Sequence, residues 1–177
     1  MNAIVEHILD FARTAEPQLA PLNLNRLIEE LGLLVRHKLK HQNIQLTQEF
    51  ESDLPPVPGA ATQLEQAFLN LILNASEAMP EGGALTIRSR LLRLPRGSPQ
   101  PTHVAVDFRD TGQGMSAEQR RRAFSSVLST TKSKGTGLGL AIVARVVEAH
   151  RGRLKITSRP GHGTTVSVIL PLQDSSV

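Results

Sequence analysis

Two pairs of strand-like segments in this chain follow one another with no helix between them. ALTIRSRLL is separated from HVAVDFRD by the loop RLPRGSPQPT, and RLKITSR from TTVSVILPL by PGHG. A doubly wound sheet needs a crossover helix between successive parallel strands, so the regular strand-helix alternation of that fold is excluded. Amphipathic helical segments lie before and between these pairs. Helices mixed with neighbouring strands are accommodated by a two-layer α/β sandwich, with the helices on one face of the sheet.

The helices are read from apolar residues at helical spacing. Ile4, Ile8, Phe11 and Ala15 mark a short one that ends before Pro17, and AEPQLAPLN reads as a linker. Leu27, Ile28, Leu31, Leu34, Val35 and Leu39 mark a second. IQLTQEF alternates as a half-buried strand, with Ile44, Leu46 and Phe50 on one side, and DLPPVPG reads as a rigid loop. Leu64, Ala67, Phe68, Leu71, Ile72 and Ala75 form the face of a third helix, ending near Pro80. Ser116 and Gln119 make a capping-box signature for a short basic helix, SAEQRRRAF. SSVLSTTKSKGTG is small, polar and glycine-bearing and should be mobile. The helix LGLAIVARVVEAH follows and is expected to stop at Gly152. No internal repeat is present.

A chain of 177 residues can bury a core unaided, and the absence of cysteine excludes a disulfide framework, a thiol nucleophile and Cys-ligated zinc. No apolar run approaches the roughly 18 residues of a spanning helix. MNAIVEHILDFAR carries acids and lacks a signal-peptide pattern, so the chain is read as non-secreted. The net charge of +4 invites a nucleic-acid reading, but five Phe with no Tyr or Trp leave little to stack on bases. The clusters Arg120, Arg121, Arg122; Arg88, Arg90, Arg93, Arg96; and Arg36, Lys38, Lys40 are assigned to solvated faces and loops, and no nucleic-acid partner is expected.

Four constellations carry chemistry. Asn70 and Asn74 are four residues apart on a helix, so two carboxamides project from one face and offer oxygens to a hard cation or nitrogens to phosphate. Asp110 ends a strand and precedes Gly112 and Gly114. A carboxylate there can accept from an exocyclic amine while the glycines admit a flat ligand close to the backbone. Gly135, Gly137 and Gly139 alternate just before a helix whose N-terminal N–H groups and dipole favour an anion, and Lys132 stands three residues upstream. This is neither G-x-G-x-x-G nor a P-loop. Gly161 and Gly163 permit a tight turn, beside which Thr164 or Thr165 can turn a hydroxyl inward. Each alone has an ordinary explanation: surface asparagines, an Asp-Gly turn, a hinge, a hairpin.

Their order and spacing closely resemble the nucleotide-binding signature of the sensor histidine kinases, in the superfamily that includes type II topoisomerases and heat-shock chaperone ATPases. The N-box reads LNLILNASEA, the first glycine box DTGQGM, the second GTGLGL and the last GHGTTV, with Phe124 at a lid position. TTKSKGTGLGLAIVARVVEAHRG looks most like kinases of the nitrogen-regulation type. The resemblance covers about residues 20–171. It implies a Bergerat-type fold with a mixed, mainly antiparallel sheet, and ATP and Mg²⁺ as ligands. Asp110 would accept from the adenine amine, Gly112, Gly114 and Thr164 would line the adenine pocket, and Met115, where the lid begins, would also bind the nucleotide. Asn74 would bind Mg²⁺ with Asn70 beside it near the phosphates. Thr131, Lys132 and the turn of Gly135, Thr136, Gly137, Leu138 and Gly139 would hold the phosphates, under a lid of about residues 115–135. Asn70 and Lys132 are the residues expected to act in catalysis. Hydrolytic relatives carry a glutamate where this chain has Asn70, which argues for transfer to a protein histidine.

The acceptor histidine that the family expects, followed by an acid and an R-N-P-like stretch, is not found. His7 is followed by Ile8, Leu9 and Asp10, and none of the other five of the six histidines fits. Residues 1–18 resemble the end of the second helix of a dimerisation hairpin plus linker, residues 19–172 an ATP-binding catalytic domain, and residues 173–177 a tail. The expected partners are a histidine-bearing hairpin and a response-regulator receiver. The fragment is expected to be soluble, monomeric and cytoplasmic, from a parent protein either cytosolic or membrane-anchored. After Phe124 the lid reads Ser125, Ser126, Val127 and Leu128 where close relatives often have aromatics. Glu77 stands where some members have a phosphate-binding lysine, which Lys132 would replace. The competing readings are a serine kinase of the anti-sigma type and a nucleotide-sensing or docking module without turnover.

Overall fold

A computed structural model describes residues 18–128 and 138–172. The elements in order are β1 (Ala20–Leu22), α1 (Leu24–His41), β2 (Ile44–Glu49), β3 (Val57–Gly59) and α2 (Ala61–Glu77). They continue with β4 (Gly83–Leu92), β5 (His103–Asp110), α3 (Ala117–Leu128), α4 (Leu138–Ala149), β6 (Arg153–Ser158) and β7 (Thr164–Pro171). Five strands form one sheet in the order β2-β4-β5-β7-β6. β2 and β4 run parallel; the other neighbours are antiparallel.

Alternation along each strand decides which face is covered. Leu85 and Ile87 of β4, Val104, Val106 and Phe108 of β5, Val168 and Leu170 of β7 and Ile156 of β6 are buried in one cluster with the apolar faces of α1, α2 and α4. Each such side chain contributes roughly 1.5–3 kcal/mol on leaving water. Phe68 of α2 meets Phe108 of β5 at a centroid distance of 5.3 Å. The opposite face carries Arg88, Arg90, Asp107, Arg109 and Lys155, with Arg90 Nε donating to Asp107 Oδ2 at 2.7 Å.

Local chemistry sets the helix ends. Asn23 caps α1 by accepting from the Arg26 N–H at 3.1 Å. The Ser116–Gln119 capping box forms reciprocally: the Ser116 N–H donates to Gln119 Oε1 at 2.8 Å and the Gln119 N–H to Ser116 Oγ at 3.2 Å. The helix it opens runs to Leu128, past the end read from sequence and into the segment assigned to a mobile loop. α4 closes in a Schellman motif, with Gly152 N–H on the Val147 carbonyl and Arg151 N–H on that of Glu148, both 2.8 Å. The left-handed residue is Arg151 (φ 54°), not the expected glycine. Gly152 is needed for close approach instead, because a Cβ there would stand 2.6 Å from the Ile169 carbonyl oxygen.

Two stretches read as linker and loop contain strands. Ala20 pairs with Gly59, Pro21 with Pro58 and Leu22 with Val57, in a small antiparallel sheet of β1 and β3. Prolines facing each other at the register hide the alternation and are tolerated because each strand is an edge. The strand pair leads into Ala60, the N-cap of α2, which has no side-chain cap.

Candidate functional site

The site grows from the C-terminal end of β5. Pairing of Arg109 with Thr165 brings Asp110 beside Thr164, the first residue of β7. Asp110 is buried at 6% exposure, and its Oδ1 accepts the N–H of Gly112 at 2.8 Å and of Thr164 at 3.2 Å. Both bonds fall on one oxygen. Burial pushes the Asp110 carboxyl up, against the backbone bonds from Gly112 and Thr164 that favour the charged form.

The chain after Asp110 is held from three sides. Gln113 N–H donates to the Ala78 carbonyl at the end of α2 (3.1 Å), and Gly161 N–H donates to the Gln113 carbonyl at 2.7 Å. Met115 N–H donates to Ser158 Oγ at 2.8 Å. The Ser158 hydroxyl donates to the Gly163 carbonyl at 3.0 Å and lies 2.9 Å from Thr164 Oγ1. A Cβ at Gly112 would collide with the Ala78 carbonyl, and one at Gly114 with that of Arg159. Gly114 (φ 67°) and Gly163 (φ 74°) also occupy the left-handed region, so glycine is required there twice over.

One helical turn before Ala78, α2 presents Asn74, and one turn earlier Asn70. Asn70 Nδ2 donates to the Gln66 carbonyl at 3.0 Å, which orients its amide. Across from them stands Gly139, in the first turn of α4. A Cβ there would lie 3.3 Å from Asn74 Oδ1 and 3.6 Å from Asn70 Oδ1. The two asparagines and this glycine, far apart in sequence, therefore share one place, where Asn74 presents its oxygen and, at 3.4 Å from that Cβ position, its nitrogen to the helix start. The carboxamide oxygens of Asn70 and Asn74 could serve a divalent cation, and the helix N-terminus an anion such as phosphate. The second oxygen of the buried Asp110 carboxylate, which takes neither the Gly112 nor the Thr164 backbone bond, can accept from an exocyclic amine.

Asn70, Asn74, Asp110, Gly112, Gly114, Met115, Gly139 and Thr164 are thus joined in one continuous region. Thr131, Lys132, Gly135, Thr136 and Gly137 lie outside the described residues, and at Leu138 and Phe124 the helical backbone alone is described. Thr164 turns its hydroxyl to Ser158 rather than standing free for a ligand. Sequence reading missed Ser158, which ties three segments together, and Ala78, whose carbonyl anchors the glycine loop. A lone Ser ending a strand and an Ala after a helix carry no motif; their roles come from tertiary placement. Arg120, read as solvated surface, is half-buried and donates to the Ser158 carbonyl at 3.2 Å.

Residues 59–174 match the family described as histidine kinase-, DNA gyrase B-, and HSP90-like ATPase. The chain belongs to this family. This ATPase domain is 30% identical over 172 residues to the signal transduction histidine-protein kinase AtoS of Escherichia coli (strain K12), covering 97% of this chain and 27% of that relative. The chain therefore spans about a quarter of the length of that kinase. The catalytic domain of histidine kinase ThkA, in a nucleotide-free form, superposes on 88% of this ATPase domain and 99% of its own chain, with a TM-score of 0.73 and 28% identity. ThkA in complex with the response regulator protein TrrA matches 98% of this chain and 48% of its own, with a TM-score of 0.77 and 26% identity. The family binds ATP, and the mixed five-stranded sheet with its helices is that of histidine kinase catalytic domains. No helix among the described residues is long and apolar enough to cross a membrane.

Proposed function

We propose that this ATPase domain is the catalytic part of a two-component sensor kinase, carrying the γ-phosphoryl group of ATP to a histidine on a separate helical hairpin. From there the group would pass to an aspartate of a response regulator. The observation that supports this most is the meeting of Gly139, in the first turn of α4, with Asn70 and Asn74.

In this reading the adenine amine donates to Oδ2 of Asp110, the oxygen not used by Gly112 and Thr164. Gly112, Gly114 and Met115 form the wall, and Thr164 acts through Ser158 and its own N–H. Asn74 holds Mg²⁺, with Asn70 beside it. Thr131, Lys132, Gly135, Thr136, Gly137, Leu138 and Gly139 hold the phosphates. Mg²⁺ would neutralise charge on the phosphate oxygens, and the chain's own contribution is positioning. An amide at Asn70 has no basic group with which to activate water, which favours transfer over hydrolysis. Residues 1–18 are proposed as hairpin remnant and linker, residues 19–172 as the catalytic domain and residues 173–177 as a tail, in a cytoplasmic setting. The nitrogen-regulation subtype rests on the residues around the second glycine box alone.

Mixing the chain with labelled ATP, Mg²⁺ and a supplied acceptor hairpin tests the proposal. Acid-labile, base-stable label on the hairpin is the expected result. Label on serine would move the reading to a serine kinase. ATP binding with no transfer to any hairpin would leave a sensing module and refute the kinase reading.

A further inference from the structure

α2 and α4 run antiparallel and touch at two distant places. At one, Gly139 of α4 faces Asn70 and Asn74 of α2. At the other, the Ala60 N–H, at the N-cap of α2, donates to Nε2 of His150 at 2.9 Å. His150 Nδ1 in turn donates to the Val146 carbonyl at 2.7 Å. A carbonyl can only accept and an amide N–H can only donate, so His150 is fixed as the neutral Nδ1–H tautomer. At 2% exposure it is among the largest fully buried side chains, in a place where an apolar residue would fill the same space.

Between the two contact points, α2 and α4 bury Leu64, Ala67, Phe68 and Leu71 and Val143, Val146 and Val147 in the common core. Interdigitated apolar side chains hold this seam together, and the hydrogen bond adds a directional point of attachment at its far end. The His150 bond lies about 16 Å along α4 from Gly139 at 1.5 Å per residue. A slip of one residue, about 1.5 Å, would turn the close approach of Gly139 to the asparagines into a gap.

We propose that His150 is a positioning residue for the nucleotide site: its bond to the Ala60 N–H locks the axial register of α4 on α2, and so sets where the Gly139 turn stands over Asn70 and Asn74. The inference rests on the reading of that place as the phosphate and Mg²⁺ end of an ATP site. Adenosine, held at the Asp110 end, would not sense the register; ATP would.

Calorimetric titration of Mg-ATP and of adenosine, each into wild type, His150→Phe, His150→Gln and Ala60→Pro, tests this. Phenylalanine fills the volume and makes neither bond. Loss of one directional bond should weaken ATP about tenfold, with adenosine unchanged within about twofold. Glutamine, whose amide can accept from Ala60 and donate to Val146, should restore most of the ATP affinity. Ala60→Pro removes the donor from the other side, with φ moving from −90° toward the roughly −65° of proline, and should reproduce the Phe result even if His150→Phe fails to fold. ATP and adenosine weakening together, or neither changing, would overturn the proposal. Amide exchange at residues 139–142 of the ligand-free protein gives an independent reading. It should quicken in His150→Phe and Ala60→Pro and return in His150→Gln; unchanged exchange also overturns the proposal. A wild type that binds no nucleotide would refute the functional reading, and the exchange would still decide the register lock.

Discussion

Asp110→Asn separates the ligand-binding role proposed for Asp110 from its structural one. In the wild type Oδ1 takes both backbone bonds, from Gly112 and Thr164. An asparagine oxygen can keep both, so the glycine loop should stay in place. The variant atom is the second one, where an acceptor becomes an NH₂ donor. Against the adenine amine, a charge-assisted bond worth about 1.5–3 kcal/mol is replaced by two opposed donors, at a further cost of about 1–3 kcal/mol. The sum is about 2.5–6 kcal/mol, or about two to four orders of magnitude in affinity. Stability should move the other way. Burial raises the Asp110 carboxyl, so the folded state holds its proton more tightly than the unfolded chain. Folding stability is therefore lost as pH rises from the unfolded value through the folded one, and at neutral pH the charge works against the fold. Asparagine removes that charge, and thermal unfolding at pH 7 should show a Tm equal to or above wild type. Calorimetry of Mg-ATP on the same sample completes the test. A variant that binds ATP within about threefold of wild type would refute the adenine assignment, as a folded-state Tm loss would refute the account of its bonds.

Gly139→Ala should weaken ATP about three- to tenfold by crowding Asn74, with adenosine unaffected and stability within about 1 kcal/mol, because alanine's helix propensity offsets the strain; parallel calorimetry and melting check it. Ser158→Ala removes the acceptor for Met115 and the donor to Gly163, and should cost about 1–3 kcal/mol in urea unfolding and weaken adenosine as well as ATP. Burial holds His150 below its ordinary 6.5, against the Val146 bond that favours its charged form. The unfolded chain then takes the proton first, so stability should be full above about pH 6.5 and fall as pH drops below it. Melting of wild type and His150→Phe from pH 7.5 to 5 should show this loss to be smaller in the variant.

The residues around the site were legible because each box is local: Asn70 with Asn74 on one helix face, Asp110 with its glycines, Gly139 at a helix start. Periodicity likewise located α1, α2 and the five main strands, since each has one buried face. What stayed hidden depends on partners distant in sequence. β1 and β3 are too short and too proline-rich to alternate, and exist through each other. Arg151 takes the left-handed turn that a glycine was expected to take, because Gly152 is needed one residue later against β7. Ser158 shows no more than a hydroxyl at a strand end until β6, β7 and the glycine loop are brought together.

The two rims of the sheet have unequal freedom to change. Asp110, Gly112 and Thr164 crowd one rim, where an added methyl group collides with backbone. β5 carries the chain about 23 Å from Asp110 back to His103, at 3.3 Å per residue. There the loop of residues 93–102 presents Arg93, Pro95, Arg96, Gly97, Pro99 and Gln100 to solvent, with Gly97 itself held to glycine by its φ of 96°. Insertions, fluorescent tags or an immobilisation handle belong at that far rim. A dye placed there would report tumbling and assembly of the whole domain while leaving the Asp110 rim undisturbed.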